Sequence, residues 1–264
     1  MQNRYVGDVG DFGKYALLRK LCGPDTSRPV RLCVVWCLFP DEQFGNDGKH
    51  VSYLGNPTFA QLDAELHAAL ASIVSAARRN ISSIRECGLL PSTTRFFAEP
   101  ISTSDIIAAD RRERVRQRDA WLRACLRYTA ACELVFFDPD NGLEIASVPK
   151  HHPRAGKYVY WEELARFWQR GNSLLVYHHL NRTAAAAQQV RELTSRFTTE
   201  FRGAVVVPLV FRRGSSRVFW LIHHGDDLGL ELERRAADLL SSEWSQHFRP
   251  FGWPDRDQTE TVAR

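Results

Sequence analysis

The chain has 264 residues, 44% hydrophobic and 25% charged, with a formal net charge of +4. That apolar share suffices for one large core and excludes a disordered or fibrous chain, while the mild positive balance is compatible with nucleic acid without requiring it. No apolar run reaches the ~18 residues of a membrane span, and Met1 to Tyr5 lack an apolar signal region, so a cytoplasmic protein with no membrane partner is expected.

In chain order, residues 11–22 read as a helix, with Phe12, Tyr15, Ala16 and Arg19 spaced by three and four, Asp11 as N-cap and Gly23-Pro24 as the stop. Residues 31–39 (RLCVVWCLF) are a continuous apolar run, as in a buried parallel strand. A long polar loop follows over 40–57. Residues 59–87 read as helical with a break near Asn80, 95–98 as a short strand, 105–130 as a basic helix and 133–137 as a buried strand. A helix over 161–168, a strand over 173–178 and a helix over 183–197 come next. Strands over 204–211 and 218–223 flank Arg212-Arg213-Gly214-Ser215-Ser216, and a helix over 228–240 closes the chain. Alternating strands and helices predict a mostly parallel sheet with right-handed crossovers, ended by an antiparallel hairpin. One domain over 1–252 and a polar tail over 253–264 are expected. The six cysteines form no CxxC pair, and Cys33 and Cys37 lie within an apolar run, so they read as core residues of a reducing compartment.

The densest chemistry follows the strand at 133–137. Val135-Phe136-Phe137 runs into Asp138-Pro139-Asp140-Asn141-Gly142-Leu143-Glu144. A buried strand ending in acids delivers them to the carboxyl edge of an open α/β sheet, where such sheets bind ligands. Asp138 could accept a proton or hydrogen bond from an amine or hydroxyl that Asn141 orients. Alternatively, Asp138, Asp140 and Glu144 could hold Mg²⁺ or Mn²⁺ through oxygens. Asn141-Gly142 is also plain turn chemistry. His178-His179 ends the strand expected beside it, with the two rings on opposite faces; a histidine there, with His178 the candidate, could be a general base or a metal ligand, and Arg182 beyond it suits a phosphate. The loop Gly45-Asn46-Asp47-Gly48-Lys49-His50 could wrap an anion, though it lacks P-loop spacing. Residues 111–127 carry seven arginines against two acids, either a solvated helix face or a steering surface for nucleic acid. Arg212 and Arg213, with Arg217 just beyond, form a second small basic cluster.

Two resemblances rest on these residues. Gly7-Asp8-Val9-Gly10-Asp11-Phe12-Gly13-Lys14-Tyr15 resembles the amino-terminal Gly-Asn-x-x-Asp-x-x-Lys-His helix of the 23S rRNA adenine-N6 methyltransferase family, and Asp138-Pro139 falls where that family carries Asp-Pro-Pro-Tyr. The opening Tyr5-Val6-Gly7-Asp8 with Gly10-Asp11-Phe12, together with Asp138-Pro139-Asp140-Asn141-Gly142, also resembles a bacterial protein family without an assigned function. The resemblance implies a Rossmann-like, three-layer α/β/α fold of class I methyltransferase type and S-adenosylmethionine as cofactor. It also implies a nucleic-acid amine as target, with the target base flipped toward the acids. On that reading Asp138 and Asn141 engage the target amine; Asp140 and His178 are further catalytic candidates, used with Asp138 and Glu144 by the metal-dependent rival. Asp11, Lys14, Tyr15 and Trp36, with Asp47, Gly48 and Lys49, line the cofactor side, and Arg182, Arg212 and Arg213 meet nucleic acid. Asp140 and Asn141 stand where that family has Pro and Tyr, and Trp36-Cys37-Leu38-Phe39-Pro40 replaces a glycine-rich loop. The rivals are a Mg²⁺- or Mn²⁺-dependent phosphodiesterase or nuclease, and a methyltransferase-like scaffold that only binds.

Overall fold

The computed structural model describes residues 1–23, 28–42, 48–181, 183–213 and 215–250. The helices are α1 (Val9–Cys22), α2 (Pro57–Leu62), α3 (Ala64–Ser75), α4 (Ile81–Glu86), α5 (Ser104–Ala108), α6 (Arg111–Tyr128), α7 (Trp161–Trp168), α8 (Ala186–Glu200) and α9 (Asp227–Ser241). The strands are β1 (Leu32–Trp36), β2 (Arg95–Phe97), β3 (Leu134–Asp138), β4 (Gly142–Leu143), β5 (Tyr158–Val159), β6 (Ser173–His179), β7 (Val205–Arg213), β8 (Ser215–His223) and β9 (Phe248–Pro250).

Seven strands form one sheet in the order β2-β1-β3-β6-β8-β7-β9. β1, β2, β3 and β6 pair parallel, whereas β8 pairs antiparallel with both β6 and β7, and β9 antiparallel with β7. The fold is therefore α/β with a mostly parallel central sheet, and the terminal hairpin reverses direction as its sequence predicts. The central strands are apolar at successive positions because both faces are covered. Leu32, Val34, Trp36, Phe136 and Tyr177 join a core with α1, α3 and α9. Cys33, Val35, Val135, Phe137 and Val176 join a second core with α6, α7 and α8.

Helices that read as continuous in sequence are broken where a short polar side chain captures a backbone N–H. Asp63 accepts from Leu66 and starts α3, Asn80 accepts from Ser83 and starts α4, and Asp110 accepts from Glu113 and starts α6. The break expected near Asn80 is present. Those at Asp63 and Asp110 depend on the same chemistry, which the hydrophobic period masks. α1 starts earlier than expected: its N-cap is Asp8, which accepts from the Asp11 N–H, and this frees the Asp11 side chain for another role. The short parallel pair β4–β5 and the edge strand β9 were not anticipated. The tail expected over 253–264 lies outside the described residues. All six cysteines are free, and five are buried. Among the described residues no helix is long and apolar enough to cross a membrane.

Candidate functional site

Alternation along the strands decides what reaches the sheet's carboxyl edge. Phe136 faces the α1 core, so Asp138, two residues on, faces α1 as well. There it meets Lys14. The Lys14 ammonium donates to Asp138 Oδ2 at 2.7 Å and to Asp11 Oδ1 at 2.6 Å. All three side chains are buried. Burial pushes both carboxyls above their ordinary values, and Lys14 only partly restrains the rise. Burial pulls the other way on Lys14, but the two carboxylates more than offset it and hold its ammonium well above the ordinary range. Lys14 is thus a permanent cation clamped between two reluctant anions. Asp11 also accepts the Gly7 N–H at 3.1 Å, which fastens the turn before α1.

The turn after β3 is stitched in place by backbone. Asn141 N–H donates to Lys157 O, Glu144 N–H to Val159 O, and His179 N–H to Asn141 O. Gly142 adopts φ +121°, and a Cβ there would lie 2.3 Å from His178 Nδ1. Only glycine lets the turn pass this close to β6. Asp140 is held differently from Asp138. Its Oδ2 accepts from Gln2 Nε2 at 2.9 Å and lies 3.0 Å from Lys157 Nζ. Burial pushes this carboxyl up, but the α-amino group of Met1 and the Lys157 ammonium more than offset it, so Asp140 sits below its ordinary value.

The third wall comes from β6 and β8. Their register sets His179 opposite Arg217. Arg217 Nε donates to the Tyr177 hydroxyl at 3.0 Å, and that hydroxyl lies 2.6 Å from His179 Nε2. Arginine can only donate, so the tyrosine oxygen accepts from Arg217, while the direction of its bond to Nε2 follows the His179 tautomer. Burial, then Arg217, pulls the His179 imidazole down to about 3, which keeps it neutral.

These elements enclose a cleft of about 470 Å³ between α1 and the ends of β3 and β6. Asp8, Asp11, Asp138 and Asp140 border it together with Lys14 and Arg217. Asp11, Lys14, Gly48, Asp138, Asp140 and Asn141, separated along the sequence, thus converge as the sequence suggested. Other expected residues do not reach it. Tyr15 and Trp36 are fully buried in the α1 core, with Trp36 stacked on Phe96, because β1 alternation turns Trp36 under the helix. His178 faces the opposite side of the sheet from His179. Its Nδ1 accepts the Leu143 N–H at 3.1 Å, and burial pulls it down to about 4. His179 takes the cleft position instead. Lys49 is exposed and does not border the cleft. Asp47 and Arg182 lie outside the described residues. Arg213 Nε donates to His247 Nδ1 and its guanidinium covers the Phe59 ring, while Arg212 is partly buried at the end of β7.

The metal reading loses its third ligand. Glu144 pairs with Arg196 at 3.4 Å, Asp138 is engaged by Lys14, and among the described residues no three His, Cys, Asp or Glu side chains converge as a metal site. The basic helix divides: Arg118 is buried and pairs with Glu163 through Nε at 2.5 Å, Arg116 pairs with Glu113, and Arg111, Arg112, Arg123 and Arg127 are exposed. Gln2, Lys157 and Tyr177 were not singled out in sequence, whereas His179 was named only as the neighbour of His178 and Arg217 only as an extension of the hairpin's basic cluster.

Comparison of the chain with protein-family models, with curated proteins and with solved structures gives no match.

Proposed function

We propose that the protein is a class I, Rossmann-like methyltransferase-type enzyme that uses S-adenosylmethionine to methylate an amine of nucleic acid. The observation that carries the reading is the order of the sheet: antiparallel β8 lies between β6 and β7, and the cleft opens where β3 ends in Asp138-Pro139. An antiparallel strand inserted between two mutually parallel strands near one edge of a mostly parallel sheet is the arrangement of class I methyltransferases, and ligands of open α/β sheets bind beyond the carboxyl ends of strands.

The donor set suits the cofactor. S-adenosylmethionine is a sulfonium cation with ammonium and ribose hydroxyl donors, and four carboxylates border the cleft. Arg217, on the cleft wall, offers a cation for its carboxylate. The cleft volume lies within the range of small-molecule sites, about 300–1,000 Å³. After β1, Met1 takes the place of a glycine-rich loop: Phe39 N–H donates to Met1 O at 3.0 Å, and the Met1 amine to Cys37 O at 2.9 Å. When bound, the cofactor supplies an electrophilic methyl group. The chain's part is to hold the amine in line, to accept its hydrogens on carboxylate and to exclude water through the α1 wall. Arg212 and exposed arginines of α6 provide cationic surface for a phosphate backbone.

Calorimetric titration with S-adenosylmethionine and S-adenosylhomocysteine in chelator-treated buffer tests the reading. Micromolar binding is expected, with stabilisation of about 2.7 kcal/mol at a hundredfold excess over Kd. No heat and no thermal shift would overturn it.

A further inference from the structure

Asp140 is unevenly satisfied. Its side chain is 1% exposed, and Oδ2 is engaged by Gln2 and Lys157. Oδ1 is equally buried and has no hydrogen-bond partner among the described residues. A buried carboxylate oxygen left unpaired carries an uncompensated desolvation cost. Among the described residues nothing local relieves it: Gln2 is spent on Oδ2, and the second partner of Lys157 is Glu42 at 2.6 Å. The residue borders the 470 Å³ cleft, next to Asn141. Asp138 is the reverse case, because Lys14 already donates to it.

We infer that Oδ1 of Asp140 is the acceptor for an N–H donor of the bound ligand, so that the site selects nucleobases presenting an exocyclic amine over those presenting a carbonyl at the same position. Identifying the ligand as a nucleobase rests on the function proposed above; the unpaired acceptor does not. Proline at this position, as in Asp-Pro-Pro-Tyr, could not play the part. Asp140 therefore does by side chain what the resembling family leaves to the preceding acid and a backbone carbonyl. A ligand amine meets a fixed anion here, whereas a ligand carbonyl places lone pairs against lone pairs.

The geometry dictates the test. In Asp140→Asn the side-chain oxygen stays against the donors Gln2 and Lys157, and the amide NH₂ occupies the place of Oδ1. The substitution turns an acceptor into a donor at nearly constant volume. Adenosine and cytidine, with inosine and uridine as carbonyl counterparts, are titrated by calorimetry or NMR against the full chain. The wild type is expected to bind the amine member of at least one pair about tenfold or more tightly, since a site built to hydrogen-bond an N–H rejects the analogue lacking it. Asp140→Asn is expected to erase or invert that preference, with its folding checked by circular dichroism and thermal melting. Equal binding of amine and carbonyl members by the wild type, or no binding of either, overturns the inference without recourse to a variant. A preference that survives in Asp140→Asn overturns it as well. Titration with S-adenosylmethionine separates the two proposals: amine selectivity without cofactor binding keeps Asp140 as acceptor and removes the methyltransferase.

Discussion

Replacing Lys14 by methionine tests the electrostatic account of the cleft most directly. The side chains are similar in length, so packing changes little and the charge is what is lost. Lys14 is 4% exposed, and its two partners are 1% and 2% exposed. Removing one member of a buried ion cluster costs about 3–5 kcal/mol, because the remaining charges stay desolvated without compensation. Here two carboxylates are stranded beside each other. For a chain of this size that loss corresponds to a fall in Tm of roughly 6–20 °C. The cost depends on pH in a fixed direction. Burial already raises Asp11 and Asp138, and without Lys14 both rise further. A carboxyl raised in the folded state binds its proton more tightly there than in the unfolded chain. The variant therefore gains stability as pH falls through the raised folded values, and its deficit is greatest at neutral and alkaline pH. Thermal melts of wild type and Lys14→Met at pH 5, 7 and 8.5 are expected to differ least at pH 5. A uniform difference across that range, or a fall in Tm below about 3 °C at pH 7, would refute the clamped-cation account.

Three further outcomes follow from geometry already described. Gly142→Ala forces a Cβ against His178 at positive φ and is expected to lose about 3 kcal/mol or more in urea denaturation, with amine binding lost alongside. Arg118 donates to Glu163 and to the carbonyls of Ala155 and Tyr158, which bracket Lys157. Arg118→Met should cost about 3–5 kcal/mol, whereas Arg116→Ala on the exposed face should leave the melting curve unchanged. His178 is held down to about 4, while the unfolded chain protonates near 6.5, so its contribution is present above about 6.5 and is lost as pH falls through about 4. Asp11 and Asp138 act in the opposite sense, and comparison of wild type with His178→Gln isolates the histidine: the acid-side decline in urea midpoint should flatten in the variant.

The strands of the sheet were legible because fully buried parallel strands have no alternation to disguise, and runs such as Val135-Phe136-Phe137 have few other uses. That same property hid the site's orientation. With both faces apolar, nothing in Leu174-Leu175-Val176-Tyr177 says which of His178 and His179 faces α1. The position beside the cleft belongs to His179 because Leu175 and Tyr177 face the α1 core. β4, β5 and β9 are two or three residues long and have no period to read. Asp11, Lys14 and Asp138 were identifiable as candidates from residue type and place. Their union was not, since 124 residues separate Lys14 from Asp138 and only the parallel register brings α1 over β3. Gln2 and Lys157 were invisible for the same reason: each is an ordinary polar residue until the turn after β3 is laid between them.

The division of labour between the two acids follows from their surroundings and not from their order in the chain. Both are aspartates, two positions apart, and both are nearly inaccessible. Asp138 faces an apolar core and shares one ammonium with Asp11, so burial dominates and its carboxyl is raised. Asp140 faces both Lys157 and the Met1 amine, and although Lys157 also pairs with Glu42 at 2.6 Å, the two cations together outweigh burial and its carboxyl is lowered. Environments that drive two carboxyls apart assign them different roles. The raised acid is bonded to Lys14 and anchors α1 to the sheet, which sets the wall of the cleft. The lowered acid stays ionised and keeps one oxygen unpaired, which is the requirement for receiving a hydrogen from a ligand. The resemblance to Asp-Pro-Pro-Tyr directs attention to Asp138, but the acceptor role inferred above belongs two residues along, at the position where the resembling family has proline.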